Sequence, residues 1–226
     1  MAIDILTPEQ IIFLKALGST PRLANQFYLS GGTPLAAFYL QHRYSEDLDF
    51  FSKEEIDAGE IRAFLETLKQ PLGILRIAIK QSFNRNLFFV ELPTGTLKTE
   101  FTYFPFDRID RRVERKYGIE IDSPIDIATN KLFAIYERTK ARDYIDLYLL
   151  CKQYAFTIDV LMKRVREKFD LYLEPIQLGT QFLKAGEAED YPRMLIDLAQ
   201  ETWQTFFRKE AEVLRTQILD QNDQSE

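Results

Sequence analysis

Residues Tyr28–Ser52, YLSGGTPLAAFYLQHRYSEDLDFFS, decide the fold. Gln26–Ser30 is short and β-prone, and Gly31-Gly32 ends it. Thr33-Pro34 then opens a helix, with Leu35, Ala36, Tyr39 and Leu40 as its apolar positions. Asp47–Phe51 reads as a second strand. Two glycines let the backbone approach a ligand closely, and the N–H groups at a helix start favour phosphate. The same pair also serves as a plain turn. On a strand, positions i and i+2 share a face, so Asp47 and Asp49 point one way and Leu48 and Phe50 the other. Neighbouring carboxylates repel unless a cation lies between them or one takes up a proton. Mg²⁺ suits such a pair, since one or two carboxylates and substrate phosphates commonly hold it. A solvated strand end tolerates the same Asp-x-Asp spacing.

On the N-terminal side, Thr7-Pro8-Glu9-Gln10 is a capping box with Pro at the first helical position, followed by a stripe of Ile11, Leu14 and Leu17. Ser52 to Glu55 carries a second capping signature, predicting a helix through about Lys69. The period then changes to two. Ile74–Ser82, Leu87–Leu92 and Leu97–Phe104 are strand-like, and the turn clusters between them predict an antiparallel meander. Gly118–Asp122 adds a short strand. From Ser123-Pro124 onward the pattern is helical, with Ala128, Leu132, Ile135 and Tyr136 on one face. Further helices are expected near 142–153, 157–169 and 192–219, and a frayed polar tail over 220–226. The expectation is an α/β (α+β) core with a mixed or antiparallel sheet over 1–122, then a helical C-terminal domain over 123–226.

The 226 residues suffice for one large domain or two small ones, and 46% apolar with 28% charged residues is globular composition. Cys151 and His42 are the single residues of their types. They exclude an internal disulfide, a multi-cysteine zinc site and a histidine-based metal site. Cys151 is expected to pack as a small apolar residue. The start MAIDILTPEQ has neither a basic nor an apolar signal region, and no apolar run reaches the ~18 residues of a membrane span. The expectation is a reduced, cytoplasmic protein with no membrane partner. A net charge of −6 disfavours indiscriminate nucleic-acid binding. Any RNA affinity must come from local patches such as Arg108–Lys116 or Lys163–Lys168, which read equally as solvated faces.

Taken together, a Gly-Gly turn opening a helix and a following Asp-x-Asp strand resemble the nucleotidyltransferase superfamily signature. The wording GGTPLAAFYLQHRYSEDLDFF is similar to the AbiEii/AbiGii toxin family of nucleotidyltransferases, toxin halves of type IV abortive-infection and toxin–antitoxin pairs. A second block, Asn130–Leu150 (NKLFAIYERTKARDYIDLYLL), resembles that family's helical motif of a Lys followed by Arg-Asp-x-x-Asp-Leu. The resemblance implies that Gly31, Gly32 and Thr33 hold nucleotide phosphates and that Asp47 and Asp49 hold a divalent metal, Mg²⁺ or Mn²⁺. It implies that Lys131 contacts phosphate and that Asp143 or Asp146 completes the site. It also calls for a third carboxylate on a neighbouring strand. Glu100, in LKTEFTYF, is the candidate as metal ligand, general base or exposed strand residue.

Apart from any family, Lys131 borders an apolar helix face and either aims inward at an anion or snorkels to solvent. Asp146 shares a face with Leu149 and Leu150, so it needs a partner, with Arg142 four residues back as one choice. Asp143 suits a helix start, and Arg43 either assists the phosphates or lies on the surface. The resulting expectation is a metal-dependent nucleotidyltransferase moving NMP from an NTP to an acceptor hydroxyl. The resemblance implies RNA such as the tRNA 3′ end as acceptor, or a protein hydroxyl, and a cognate antitoxin. The alternatives are an inactive nucleotide-binding regulatory protein and a metal-dependent phosphohydrolase.

Overall fold

The computed structural model describes residues 5–112 and 114–223. Residues 224–226 of the expected polar tail lie outside them. The chain divides into two compact units, Met1–Ser123 and Pro124–Glu226.

The first unit is a seven-stranded mixed sheet of β1 (Tyr28–Ser30), β2 (Leu48–Ser52), β3 (Arg76–Ser82), β4 (Arg85–Leu92), β5 (Gly95–Tyr103), β6 (Glu114–Lys116) and β7 (Ile119–Ile121), in the order β3-β4-β5-β2-β1-β7-β6. The expected meander is present as β3-β4-β5, whose strands pair antiparallel through the turns at 83–84 and 93–94. The centre differs from a pure meander. β2 lies parallel to β5 and antiparallel to β1, and β1 lies parallel to β7. Helices α1 (Pro8–Gly18), α2 (Pro21–Gln26), α4 (Ala58–Thr67) and α5 (Lys69–Leu72) supply apolar residues to the core. Thr7 caps α1 through the reciprocal box with Gln10 that its spacing predicts.

Two expectations are corrected. Ser52 does not start a helix. It ends β2, paired with Tyr103, and its hydroxyl is tied to the backbone of Glu54. Asp57 caps the helix instead, accepting from the Gly59 N–H at 2.8 Å, and α4 begins at Ala58. After Gly31-Gly32 the chain makes a single turn, α3 (Gly32–Pro34), and then winds more widely as a π-helix over Leu35–Leu40. The Gln41 N–H donates to the Ala36 carbonyl five residues back, and Gln41 is left-handed with φ 50°. That reversal returns His42-Arg43 to the glycine turn, a use of the π geometry common at functional sites.

The core lies behind β2. Phe50 is fully buried, stacked on Phe101 at 4.9 Å and near Phe13 at 5.9 Å between centroids. Leu48 and Phe101 are equally buried, and Phe88 meets Phe101 edge-on. This alternation fixes the register of β2. Slipping it by one residue would put Asp47 and Asp49 into the core.

The second unit contains α6 (Pro124–Glu137), α7 (Ala141–Tyr154), α8 (Ile158–Phe169), α9 (Pro175–Leu183) and α10 (Gln200–Asp223). α9 was not expected, and α10 starts at Gln200 rather than near 192 because residues 192–199 are irregular. Tyr144, Phe182, Trp203 and Phe207 form its aromatic core, with Tyr144 stacked on Trp203 and edge-on to Phe207. Cys151 is buried, and burial pushes its thiol up to about 12, so it acts as packing. Among the described residues no helix is long and apolar enough to cross a membrane.

Phe50→Ala removes a ring held between two others and leaves a cavity. It is expected to cost about 3–5 kcal/mol in urea unfolding, with the loss confined to the transition of the first unit.

Candidate active site

The Gly-Gly turn, the Asp-x-Asp strand and Glu100 come together on the polar face of the sheet. β1 pairs Ser30 with Asp49, and β5 pairs Glu100 with Asp49, so all three side chains share one face. Gly31 has φ 79°, a backbone that L side chains avoid, and a Cβ there would lie 3.0 Å from Asp49 Oδ2. At Gly32 a Cβ would meet Arg43 Nη2 at 2.4 Å. Both glycines are therefore fixed by close approach, one to a carboxylate and one to a guanidinium. Arg43 is buried, and its Nη1 also donates to the Tyr44 carbonyl at 2.9 Å.

Thr33 is buried and tied inward. Its hydroxyl donates to the Asp47 carbonyl and bonds the Ser45 hydroxyl at 2.8 Å, which pins the glycine turn to the start of β2. The family resemblance implies that Thr33 holds phosphate together with the two glycines; its hydroxyl is engaged in holding the loop. The charges on the face are already compensated. Lys98 Nζ lies 2.6 Å from Asp47 Oδ2. Arg85 grips Glu100 with two parallel bonds, Nε to Oε1 at 2.5 Å and Nη2 to Oε2 at 2.6 Å, and Thr102 adds a third at 2.9 Å. Burial drives the Glu100 carboxyl upward. The Arg85 and Thr102 hydrogen bonds, with the charges of Arg85 and Lys98, outweigh it and hold the group below the ordinary range.

As a donor set, Asp47 and Asp49 fit a divalent cation. They are two carboxylates on one face, and Asp47 already holds one cation, the Lys98 ammonium. Glu100 fits less well, because both of its oxygens are engaged by Arg85. Among the described residues, no group of three His, Cys, Asp or Glu is arranged to hold a metal ion.

Two partners on this face escaped sequence reasoning. Arg85 sits in the first position of β4, opposite Thr102 and diagonal to Glu100; the hairpin register was the signal that could have found it. Asp122 is buried beside β1 and accepts from the Ser30 hydroxyl at 2.6 Å.

The second block forms its own cluster in the helical unit. Lys131 Nζ lies 2.6 Å from Asp143 and 2.7 Å from Asp146, and Arg138 reaches Asp143 at 3.0 Å. Lys131 thus aims inward at anions, as one of its two readings required, and those anions are carboxylates of α7. Burial raises the Asp143 carboxyl. The charges of Lys131 and Arg138, with the Lys131 hydrogen bond, outweigh burial and the repulsion of Asp146 and hold it below the ordinary range. Lys168 and Asp126 form a second buried pair at 2.9 Å.

The basic run at Arg108–Lys116 is partly paired. Arg108 and Arg115 both bind Glu120, Arg112 binds Asp110 at 3.2 Å and Lys116 binds Glu114 at 2.7 Å. Counting Glu120, three carboxylates face the five basic residues of the run, so part of its charge is offset before any RNA arrives.

With this geometry in hand, comparison with known proteins gives a family. Residues 12–220 match the family described as nucleotidyl transferase AbiEii toxin, type IV TA system. The chain belongs to this family, and it is an enzyme of the nucleotidyltransferase kind. An uncharacterized protein of Aquifex aeolicus is 29% identical over 150 residues, 65% of this chain and 68% of the relative. The structure is similar to JHP933 from Helicobacter pylori, with a TM-score of 0.59 and 24% identity over 99% of this chain and 97% of that one. It is also similar to MenT4, a nucleotidyltransferase toxin from Mycobacterium tuberculosis, with a TM-score of 0.53 and 17% identity over 92% and 82% of the two chains. These two likenesses are of fold.

Lys131→Met leaves two buried carboxylates facing each other and is expected to destabilise the helical unit by about 3–5 kcal/mol, read by thermal or urea unfolding. Because the Asp143 carboxyl is depressed in the folded chain, its contribution is complete above the ordinary carboxylate range and is lost as pH falls through its lowered value. Stability of the wild-type unit should therefore drop steeply in acid, and the Lys131→Met variant should show a shallower acid slope.

Proposed function

We propose that this AbiEii-family enzyme moves a nucleoside monophosphate from an NTP to an acceptor hydroxyl, with Mg²⁺ or Mn²⁺ held by Asp47 and Asp49. The observation that carries the reading is the contact of both glycines with the charged face, Gly31 against Asp49 and Gly32 against Arg43. A triphosphate laid over this turn meets backbone N–H groups and a buried guanidinium while its α-phosphorus sits beside the carboxylates. Bound at the pair, a divalent cation supplies charge neutralisation for the attacking and leaving oxygens. The acceptor oxygen bonds to the α-phosphorus as the bond to the pyrophosphate oxygen breaks, and the hydroxyl proton passes to solvent. Glu100, held ionised by Arg85, is a weak acceptor for that proton.

RNA such as a tRNA 3′ end is the acceptor we favour, and a cognate antitoxin the partner that restrains it in the cytoplasm. Family membership supports toxin activity. Thr33 serves the site by bracing the loop, while Lys131, Asp143 and Asp146 hold α6 to α7. A phosphohydrolase reading would release nucleoside products without labelling an acceptor, and a regulatory reading would bind nucleotide without releasing pyrophosphate.

The test incubates the protein and Mg²⁺ with each α-labelled NTP and total cellular RNA. The wild type should label RNA and release pyrophosphate. Asp49→Asn, which removes one charge at nearly constant volume, should lose at least about a hundredfold in transfer while melting at or above the wild-type temperature. A folded Asp49→Asn variant transferring at the wild-type rate would overturn the mechanism.

A further inference from the structure

The four strands at the centre of the sheet set out the site in a line. The glycine turn with Arg43 ends β1, Asp49 follows on β2, Glu100 on β5 and Arg85 on β4. Strands are spaced about 4.8 Å apart, so Arg85 stands about 10 Å from the Asp49 strand, on the side away from the glycines. Displacement at the α-phosphorus is in line, with the entering and leaving oxygens on opposite sides of phosphorus. If the glycine turn and Arg43 hold the leaving pyrophosphate, the acceptor must come in over β5 and β4, where Arg85 stands.

Arg85 is built for a second task there. The pairing with Glu100 uses Nε and Nη2, which leaves the Nη1 amine on the other arm of the planar fork. The Glu100 side chain is 10% exposed and that of Arg85 50%, so a buried carboxylate anchors a guanidinium that reaches solvent. An anchored guanidinium is restricted before any ligand arrives, and less is lost on binding an oxyanion. Lys98, a neighbouring cation on β5, is occupied by Asp47.

We propose that Glu100 acts as the anchor of Arg85 rather than as a third metal carboxylate, and that the anchored guanidinium binds a backbone phosphate of a nucleic-acid acceptor. This rests on the nucleotidyltransferase reading of the same face and adds the chemistry of the acceptor side to it. Its test has a readout that needs neither metal nor turnover. Affinity for a short fluorescein-labelled oligouridylate is measured by anisotropy across a salt series, and affinity for ATP with Mn²⁺ is measured separately.

Arg85→Met should weaken oligonucleotide binding about tenfold and reduce the slope of log affinity against log salt by about 0.7, the value for one phosphate contact on a single strand. ATP and Mn²⁺ affinities should stay within about twofold. Glu100→Gln should weaken oligonucleotide binding in the same direction by a smaller factor, and Arg85→Lys should restore the salt slope but only part of the affinity. In transfer assays the Arg85→Met loss should appear in the acceptor KM. An Arg85→Met variant that loses ATP affinity instead would place the guanidinium on the triphosphate and overturn the proposal. Unchanged binding of both ligands would make the pair a structural ion pair, which also overturns it. Loss of Mn²⁺ binding in Glu100→Gln would restore Glu100 as a metal ligand. If Arg85→Met fails to fold, Arg85→Lys and Glu100→Gln decide by the same readouts. The oligonucleotide arm is independent of catalysis. A wild type that labels no RNA but shows the Arg85-dependent binding would defeat the transfer reading and leave the phosphate contact standing.

Discussion

Repulsion among Asp47, Asp49 and Glu100 is the constraint on which the rest of this molecule depends. Two unit charges 4 Å apart near a protein surface repel by about 4 kcal/mol, while a whole domain is stable by only about 5–15 kcal/mol. Three carboxylates on one sheet face cannot persist unless cations are built in among them. Lys98 answers Asp47, Arg85 answers Glu100, and the buried Arg43 lies across the glycine turn from Asp49. The resulting face is charged yet balanced, and an anionic substrate with its cation can replace internal partners without a large net change in field.

The sheet tolerates this because its other face is strongly apolar. Leu48 and Phe50 alternate with the two aspartates, and Phe101 alternates with Glu100 and Thr102. Burying those rings fixes the register of β2 and β5, and the register places the carboxylates side by side. Packing and site geometry are two sides of the same short run, Asp47 and the first residues of β2. The parallel pairing of β2 with β5 brings Glu100 level with Asp49, and the antiparallel pairing with β1 brings the glycine turn to the same end.

Features governed by short-range rules were legible in the sequence. The capping box of α1, the β3-β4-β5 meander, the Gly-Gly turn and the shared face of Asp47 and Asp49 all follow from periodicity and turn chemistry. What escaped depends on tertiary pairing. The Ser52 capping signature lost to a ladder position opposite Tyr103, so the helix waited for Asp57. The π-helical turn over Leu35–Leu40 carries an ordinary helical sequence, and its wider winding is accompanied by the return of Arg43 to Gly32. Arg85 falls between the expected strands Ile74–Ser82 and Leu87–Leu92, and only the hairpin register makes it a partner of Glu100. The pairing of two arginines of the Arg108–Lys116 run with Glu120 on β7 was hidden for a similar reason.

The helical unit solves the same electrostatic problem by the opposite means. On the sheet face, Asp47 and its cation Lys98 are both partly open to water, so an incoming ligand can exchange with their internal partners. Around Lys131, Asp143 and Asp146 are almost wholly excluded from solvent and one ammonium bridges both. Removing any member there would strand a charge in a low-dielectric interior. Solvent access, more than residue type, therefore distinguishes a face that can trade partners from a network that holds helices together. Both are built from Lys and Asp, which is why residue type alone could not separate their roles.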